Sequence, residues 1–400
     1  MTRSGPLDDI LVVDLSRALA GPHATMMLGD LGARVIKVEK PTGGDDTRGW
    51  GPPFAESDTD PSAEAESTYF LSANRNKESV TLDLKSSADH ELLVTLIRRA
   101  DVLVENFRTG VLERLDLSHR FLLEVNPRLV ILSITGFGHD GPESGRPGYD
   151  QIAQGEAGLM SLTGASPDAP QKVGVPIADL LAGIHGAYGV VAALHERNRT
   201  GRGTVVRTSL LASVVGVHGF QGSRWTVGHE VGAAGGNHHP SIAPYGMFSC
   251  GDGFVQIAVG SEGLWQRFCA AFGIDANQPG FATNADRVAR RDLTIKLVEQ
   301  VFESWLAAPL LQRLRDLGIP AGKVRSIDEV YEWDQVHSQG LVVEVDHQTL
   351  GKLDLPGPPL RFFDAHGAER TPRSHRPPPV LGADNAAVRA WVEEDPPCPG

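Results

Sequence analysis

The sequence predicts an α/β protein with a large Rossmann-like layer and a smaller central α+β domain, and three observations carry that reading. Between residues 10 and 136, short apolar runs (ILVVDL, ARVIKVE, SVTLDL, DVLVEN, LVILSIT) alternate with stretches of helical spacing, the pattern of a parallel sheet covered on both faces. From Gln221 to His239 the texture changes to glycine, histidine and polar residues, followed by a hairpin and several helical stretches. After Val324 the chain returns to strand-like segments such as LVVEV and ends in a proline-rich tail suited to wrapping a surface.

Taken in order, helices are expected near Pro22 to Leu31, from Ser87 to Ala100 and from Leu112 to Val125. Ala178 to Glu196 reads as one buried helix, with glycines at 183, 186 and 189 that each cost about 1 kcal/mol against alanine. Something must approach that face closely. GRGTVVRTSLLASVVGVHGF then reads as a strand passing into a helix, with Ser209 or Ser213 near its start. YGMFSCGDGFVQIAVG is a hairpin turning at Gly251-Asp252-Gly253, and Leu264 to Phe272, Asp286 to Trp305 and Leu310 to Leu317 are helical.

Four hundred residues suggest two domains, and a net charge of -13 excludes general nucleic-acid binding, which needs a concentrated basic surface. Cys250, Cys269 and Cys398 form no paired motif, so a disulfide framework and a zinc knuckle lack support and a reducing cytoplasm is expected. The N-terminus lacks a signal peptide's apolar core, and no run approaches the roughly 20 apolar residues of a membrane span. Phosphate-loop, serine-elbow and zinc-protease motifs are missing. The first βα junction reads Ala18-Leu19-Ala20-Gly21-Pro22 where a dinucleotide site wants G-x-G-x-x-G, which disfavours a nicotinamide enzyme.

Asp179 stands alone at the mouth of an apolar, glycine-laced run. One reading makes it the N-cap of the following helix. The other makes it a carboxylate kept ionised near neutral pH and aimed out of an apolar wall, able to act as base or nucleophile. His238 and His239 read as loop histidines, since no nearby acid or cysteine completes a metal set. Gly232, Gly235 and Gly236 allow either a plain linker or a mobile backbone whose N–H groups face an oxyanion. Lys37, Lys40, Arg75, Lys77, Arg108 and Arg114 fall near strand ends, where together they could hold phosphates.

These stretches, in this order, resemble the family III CoA-transferases, the group of formyl-CoA and carnitine CoA-transferases, with alpha-methylacyl-CoA racemase as a relative. The resemblance runs from LVVDLSRALAGPHATMMLGDLGARVIKVEKP through GDDTRGWGPPF, NRNKESVTLDLK, ADVLVENFRTGVLERL and PGYDQIAQGEAGLMSLTG to GNHHPSIAPYGMFSCGDGFVQIAVG. It implies that Asp179 is the nucleophile of an exchange of coenzyme A between two carboxylic acids, through an aspartyl mixed anhydride and an aspartyl-CoA thioester. It also implies coenzyme A contacts at Lys40, Lys77, Asn106 and Arg114, with Arg146 close to another such position. Trp50 and Tyr149 would line the substrate pocket, and Gly235 and Gly236 would form a mobile glycine loop. Leu19 replaces a glutamine of the formyl-CoA branch, which speaks against oxalate as acceptor.

The implied fold joins residues 1–220 and 326–400 in the large domain, leaves 221–325 as linker, glycine loop and small domain, and interlocks two chains as a homodimer. No tightly bound cofactor or metal is implied; acyl-CoA and a carboxylic acid are the partners. The rival reading, a racemase, needs two acid/base groups flanking one carbon, and Tyr149 occupies the place of its histidine. A phenol with a pKa of about 10 suits that role poorly. Tyr149, Trp50 and Tyr245 do not separate succinate from a longer or branched acid.

Overall fold

In the computed structural model, which describes residues 5–57, 62 and 64–394, the chain divides into two compact units. The first comprises 1–159, 172–230 and 334–400; the second comprises 160–171 and 231–333. The segment 160–171 thus belongs with the second unit, whereas the sequence placed it in the large domain.

The first unit is built on six strands: β1 (Leu11–Asp14), β2 (Arg34–Glu39), β3 (Lys77–Thr81), β4 (Val102–Glu105), β5 (Val130–Thr135) and β6 (Thr204–Ser209). All pair in parallel, in the order β3-β2-β1-β4-β5-β6. That order reverses between β1 and β4, the switch point at whose carboxyl side open α/β sheets bind ligands. Alternate residues serve the two faces, as the two-residue period of a strand requires. Val12, Val35, Val102, Val130 and Leu132 form one core with α1 (Ala20–Asp30) and α4 (Ile177–Thr200), while Val13, Ile36, Leu103 and Ile131 form another with α2 (Ser87–Arg99).

The glycine stripe of α4 is explained within this one chain. A Cβ at Gly183 would lie 2.7 Å from the Ala20 carbonyl of α1, one at Gly186 2.8 Å from Leu132 of β5, and one at Gly189 2.7 Å from Val206 of β6. Helix, helix and sheet therefore close to backbone distance. The expectation that no run approaches a membrane span is corrected: by length and composition α4 could cross one, but here that apolarity packs the sheet. Only one side is buried: Ile184, Tyr188 and Val191 face solvent on the other, Tyr188 with 74% of its surface exposed.

Two departures from the sequence reading have local causes. The stretch from Leu112 to Val125 is not one helix but Val111–Arg114 followed by α3 (His119–Val125), broken where Asp116 takes φ +55° and Ser118 caps the second piece. The described part of the tail includes α5 (Asn385–Glu394), whose Val388 and Val392 complete the core over α2. At its start, Asp384 and Asn385 accept the Ser79 and Thr81 amides at 2.8 Å each, covering the edge of β3. An open strand edge is thereby satisfied by side chains.

The second unit pairs β7 (Tyr245–Cys250), β8 (Gly253–Ala258) and β9 (Ala321–Lys323) in an antiparallel sheet, and the hairpin turns on two residues, Gly251 and Asp252. Phe248, Trp265, Phe268 and Phe302 fill its core.

Candidate active site

Beneath the switch point lies a buried ionic layer, and it decides which basic residues can reach a ligand. Lys77 is 1% exposed; its ammonium meets Asp14 at 3.1 Å, the Pro22 carbonyl at 2.9 Å and Asn74 at 2.9 Å. All three of its protons are thereby engaged. Lys37 is likewise enclosed, bonded to Asp45 at 2.9 Å and the Ser16 carbonyl at 3.0 Å, and Arg75 pairs with buried Asp30. Burial works against ionisation of Asp14, but Lys77, Lys37 and the hydroxyls of Ser16 and Thr25 outweigh it and hold its carboxyl at about 2. The coenzyme A contact expected at Lys77 is therefore corrected: this lysine neutralises the floor of the sheet. Lys77→Met should lower stability by about 3–5 kcal/mol, as uncompensated buried charges do, in chemical denaturation. A ligand contact would instead raise the Kd for coenzyme A at unchanged stability.

Above this layer a cavity of about 940 Å³ opens over the carboxyl ends of the strands. The loop after β1 contributes Arg17 and Ala18, β2 leads to Lys40, β3 to Lys85, β4 to Asn106 and Arg108, and β5 to Thr135 and Gly136. Ala18 holds φ +63°, a conformation costing a non-glycine residue about 1–2 kcal/mol. It is pinned from both sides. Asn106 accepts the Arg17 amide at 2.8 Å and donates to the Arg17 carbonyl at 2.7 Å, and Asp45 accepts the Ala18 amide at 3.2 Å. Asn106 thus lines the cavity while shaping its rim.

The cavity's cations differ in how free they are. Lys40 pairs with Asp46 at 2.7 Å, and Arg146 pairs with Glu156 and stacks 4.6 Å from the Phe137 ring. Arg17 lies over Phe107 at 5.2 Å. Arg108 and Lys85 are exposed and form no ion pair among the described residues. Arg114 is exposed on the short helix whose Val111 faces the cavity and is not itself a lining residue.

Asp179 lies in the first turn of α4, on the face that carries Gly183 and so meets α1. It is not the N-cap. Pro176 holds that position, and the orphan amide of Ala178 donates to Asp150 at 2.8 Å across the gap between helices. The other Asp150 oxygen accepts from Gln154 at 2.7 Å, and Gln154 in turn accepts the Val173 amide at 2.9 Å. Capping from a second helix leaves the Asp179 carboxylate without a structural duty. Burial, reinforced by the charge of Asp150, pushes its carboxyl up to about 7. The expectation of a group firmly ionised at neutral pH is corrected accordingly: burial and the like charge of Asp150 favour its protonated form.

Trp50 and Tyr149 line the same cavity, Tyr149 with 64% of its surface exposed. Leu19 is buried and turned away, leaving Ala18 and Ala20 on the wall. Gly235 and Gly236 belong to the second unit, where Gly236 donates to the Gly164 carbonyl at 3.0 Å. They are not among the cavity's lining residues. His238 and His239 pack on Phe248 and Tyr245. Sequence reasoning missed Asp150, Tyr69, Arg17 and Lys85 as lining residues. Arg17 and Lys85 carried one sequence signal, position just past a strand end, which many surface charges share; Asp150 and Tyr69, each within a helix, carried none.

A family model, CoA-transferase family III, matches residues 7–385. The chain belongs to that family. As a CoA-transferase it is 38% identical to succinate–glutarate CoA-transferase of Agrobacterium fabrum, over 98% of this chain and 96% of that one. It is 36% identical to human succinyl-CoA:glutarate CoA-transferase, over 96% and 85%. A solved CaiB/BaiF family protein from Brucella suis superposes with a TM-score of 0.86 at 37% identity, covering 98% of this chain and 100% of that one. The α/β architecture with its parallel central sheet is that of the family.

Proposed function

We propose that this CoA-transferase moves coenzyme A between two carboxylic acids by way of covalent intermediates on Asp179. The observation that carries the reading is a carboxylate released from capping, poised near neutrality, at the switch point of a cavity with a basic rim. A carboxylate is a weak nucleophile toward a thioester in water, but positioning removes much of the entropic barrier and a raised pKa strengthens attack. An Asp179 oxygen adds to the donor carbonyl carbon, the C–S bond breaks, and the thiolate departs with the electron pair. The thiolate then attacks the aspartyl carbonyl, expels the donor acid and leaves an aspartyl-CoA thioester. An acceptor carboxylate repeats the sequence in reverse.

Succinyl-CoA as donor and a dicarboxylate of the glutarate type as acceptor are the first substrates to try, because relatives named for those acids match nearly the whole chain. Arg108, exposed at the rim with no ion pair among the described residues, fits the phosphates of coenzyme A. Arg108→Ala should raise the KM for acyl-CoA about tenfold, the worth of a charge-assisted hydrogen bond, with kcat within about twofold in steady-state assays. A homodimer is supported by the exposed apolar side chains Ile184, Tyr188 and Val191 on one face of α4.

The racemase reading wants a second base, and no histidine is among the residues that line the cavity. Incubation with succinyl-CoA and a panel of acids, followed by mass spectrometry, tests the choice. Transfer predicts a new acyl-CoA only when its acid is supplied. Deuterium entering the alpha position with no movement of coenzyme A would establish the rival.

A further inference from the structure

When a nucleophile adds to a thioester carbonyl, the carbonyl oxygen takes the π pair and stays an oxyanion until the thiolate leaves. A donor preset at that oxygen lowers the barrier. The cavity wall contains a phenol for which the fold shows no other use. Tyr69 lines the cavity together with Asp179, and its ring stands edge-on to Trp50 with centroids 5.1 Å apart. Its backbone is held as firmly as its ring. Buried Ser67 accepts the Tyr69 and Phe70 amides at 3.2 and 3.4 Å and donates to the Trp50 carbonyl, while Phe70 and Leu71 anchor the same turn in the interior.

The Tyr69 hydroxyl, by contrast, has no hydrogen-bond partner among the described residues. A wall that served packing alone would need the ring and not the oxygen; phenylalanine would do. Tyr149, the other tyrosine on this wall, is far more exposed and lacks an aromatic brace.

We propose that Tyr69 is a catalytic hydrogen-bond donor to the acyl oxygen of the substrate, meeting the oxyanion that forms as Asp179 attacks. The inference rests on Asp179 as the nucleophile. Burial, with the charges of Asp179, Asp150 and Asp45, raises the phenol to about 12, so it stays a neutral donor across the working range. An ionised phenolate would repel both Asp179 and the oxyanion, and this environment prevents it.

Tyr69→Phe keeps the ring and removes only the donor. It should lower kcat about 100-fold, the usual loss for one oxyanion donor, with the KM for acyl-CoA within about twofold. In single-turnover mixing with succinyl-CoA, intact mass should show the Asp179 adduct forming more slowly by the same factor. A variant whose kcat and adduct rate match the wild type, or which raises KM alone, overturns the role of Tyr69 and leaves Asp179 in place. If wild-type protein forms no adduct at Asp179, both readings fall together. Thermal unfolding at the wild-type midpoint confirms that the variant is folded.

Discussion

Replacing Asp179 by alanine is expected to reduce CoA transfer by at least about 1,000-fold, while coenzyme A still binds within about threefold of the wild-type Kd. The two effects separate because of where the residue sits. Asp179 is at the switch point, on the face of α4 that meets α1, and the basic residues of the rim belong to the loops after β1 to β5. Removing the carboxylate leaves those loops, and the clamp of Asn106 on Arg17, untouched. It also leaves the helix capped, because Asp150 and not Asp179 receives the Ala178 amide. Hydroxylamine treatment of wild-type protein charged with acyl-CoA should mark Asp179, and the alanine variant should be unmarked. Transfer near the wild-type rate in the variant would remove this residue from the chemistry.

The second large effect is on pH dependence. With the Asp179 carboxyl at about 7, kcat/KM should fall about tenfold for each pH unit below that value and level off above it. Asp150→Asn should move this acid limb to lower pH. The amide oxygen still caps Ala178, but the like charge that helps hold a proton on Asp179 is gone. A limb that does not move would show that burial alone sets it.

Stability must follow the opposite sign. The folded value lies above the ordinary 3.8, so the folded state binds more protons than the unfolded chain between those values, and ionisation of Asp179 destabilises it. Wild type should therefore lose stability relative to Asp179→Asn as pH rises from about 4 through about 7, with a constant gap above. Denaturant titrations across that range measure it.

Much of the architecture was legible as pattern. Parallel strands buried on both faces must be continuous apolar runs, and ILVVDL, ARVIKVE and LVILSIT could be little else. The glycine stripe of α4 likewise demanded a close neighbour before any neighbour was known. It did not say whose. The approach to Ala20, Leu132 and Val206 lies within this chain, and three-residue spacing cannot tell one's own sheet from a partner's helix.

What the sequence by itself determined is the sheet, the helix that leaves Asp179 at its mouth, and the order of motifs that marks a CoA-transferase, because these depend on local periodicity and residue type. What only the tertiary structure decided is the work each charge does. Lys40 and Lys77 look alike along the chain, yet one stands on the rim and the other neutralises Asp14 in the interior. Asp150 and Asp179 lie far apart in sequence, yet one takes over the other's capping bond and raises its pKa. Burial and long-range pairing set the ionisation of a group, and neither is a property of its neighbours in the chain.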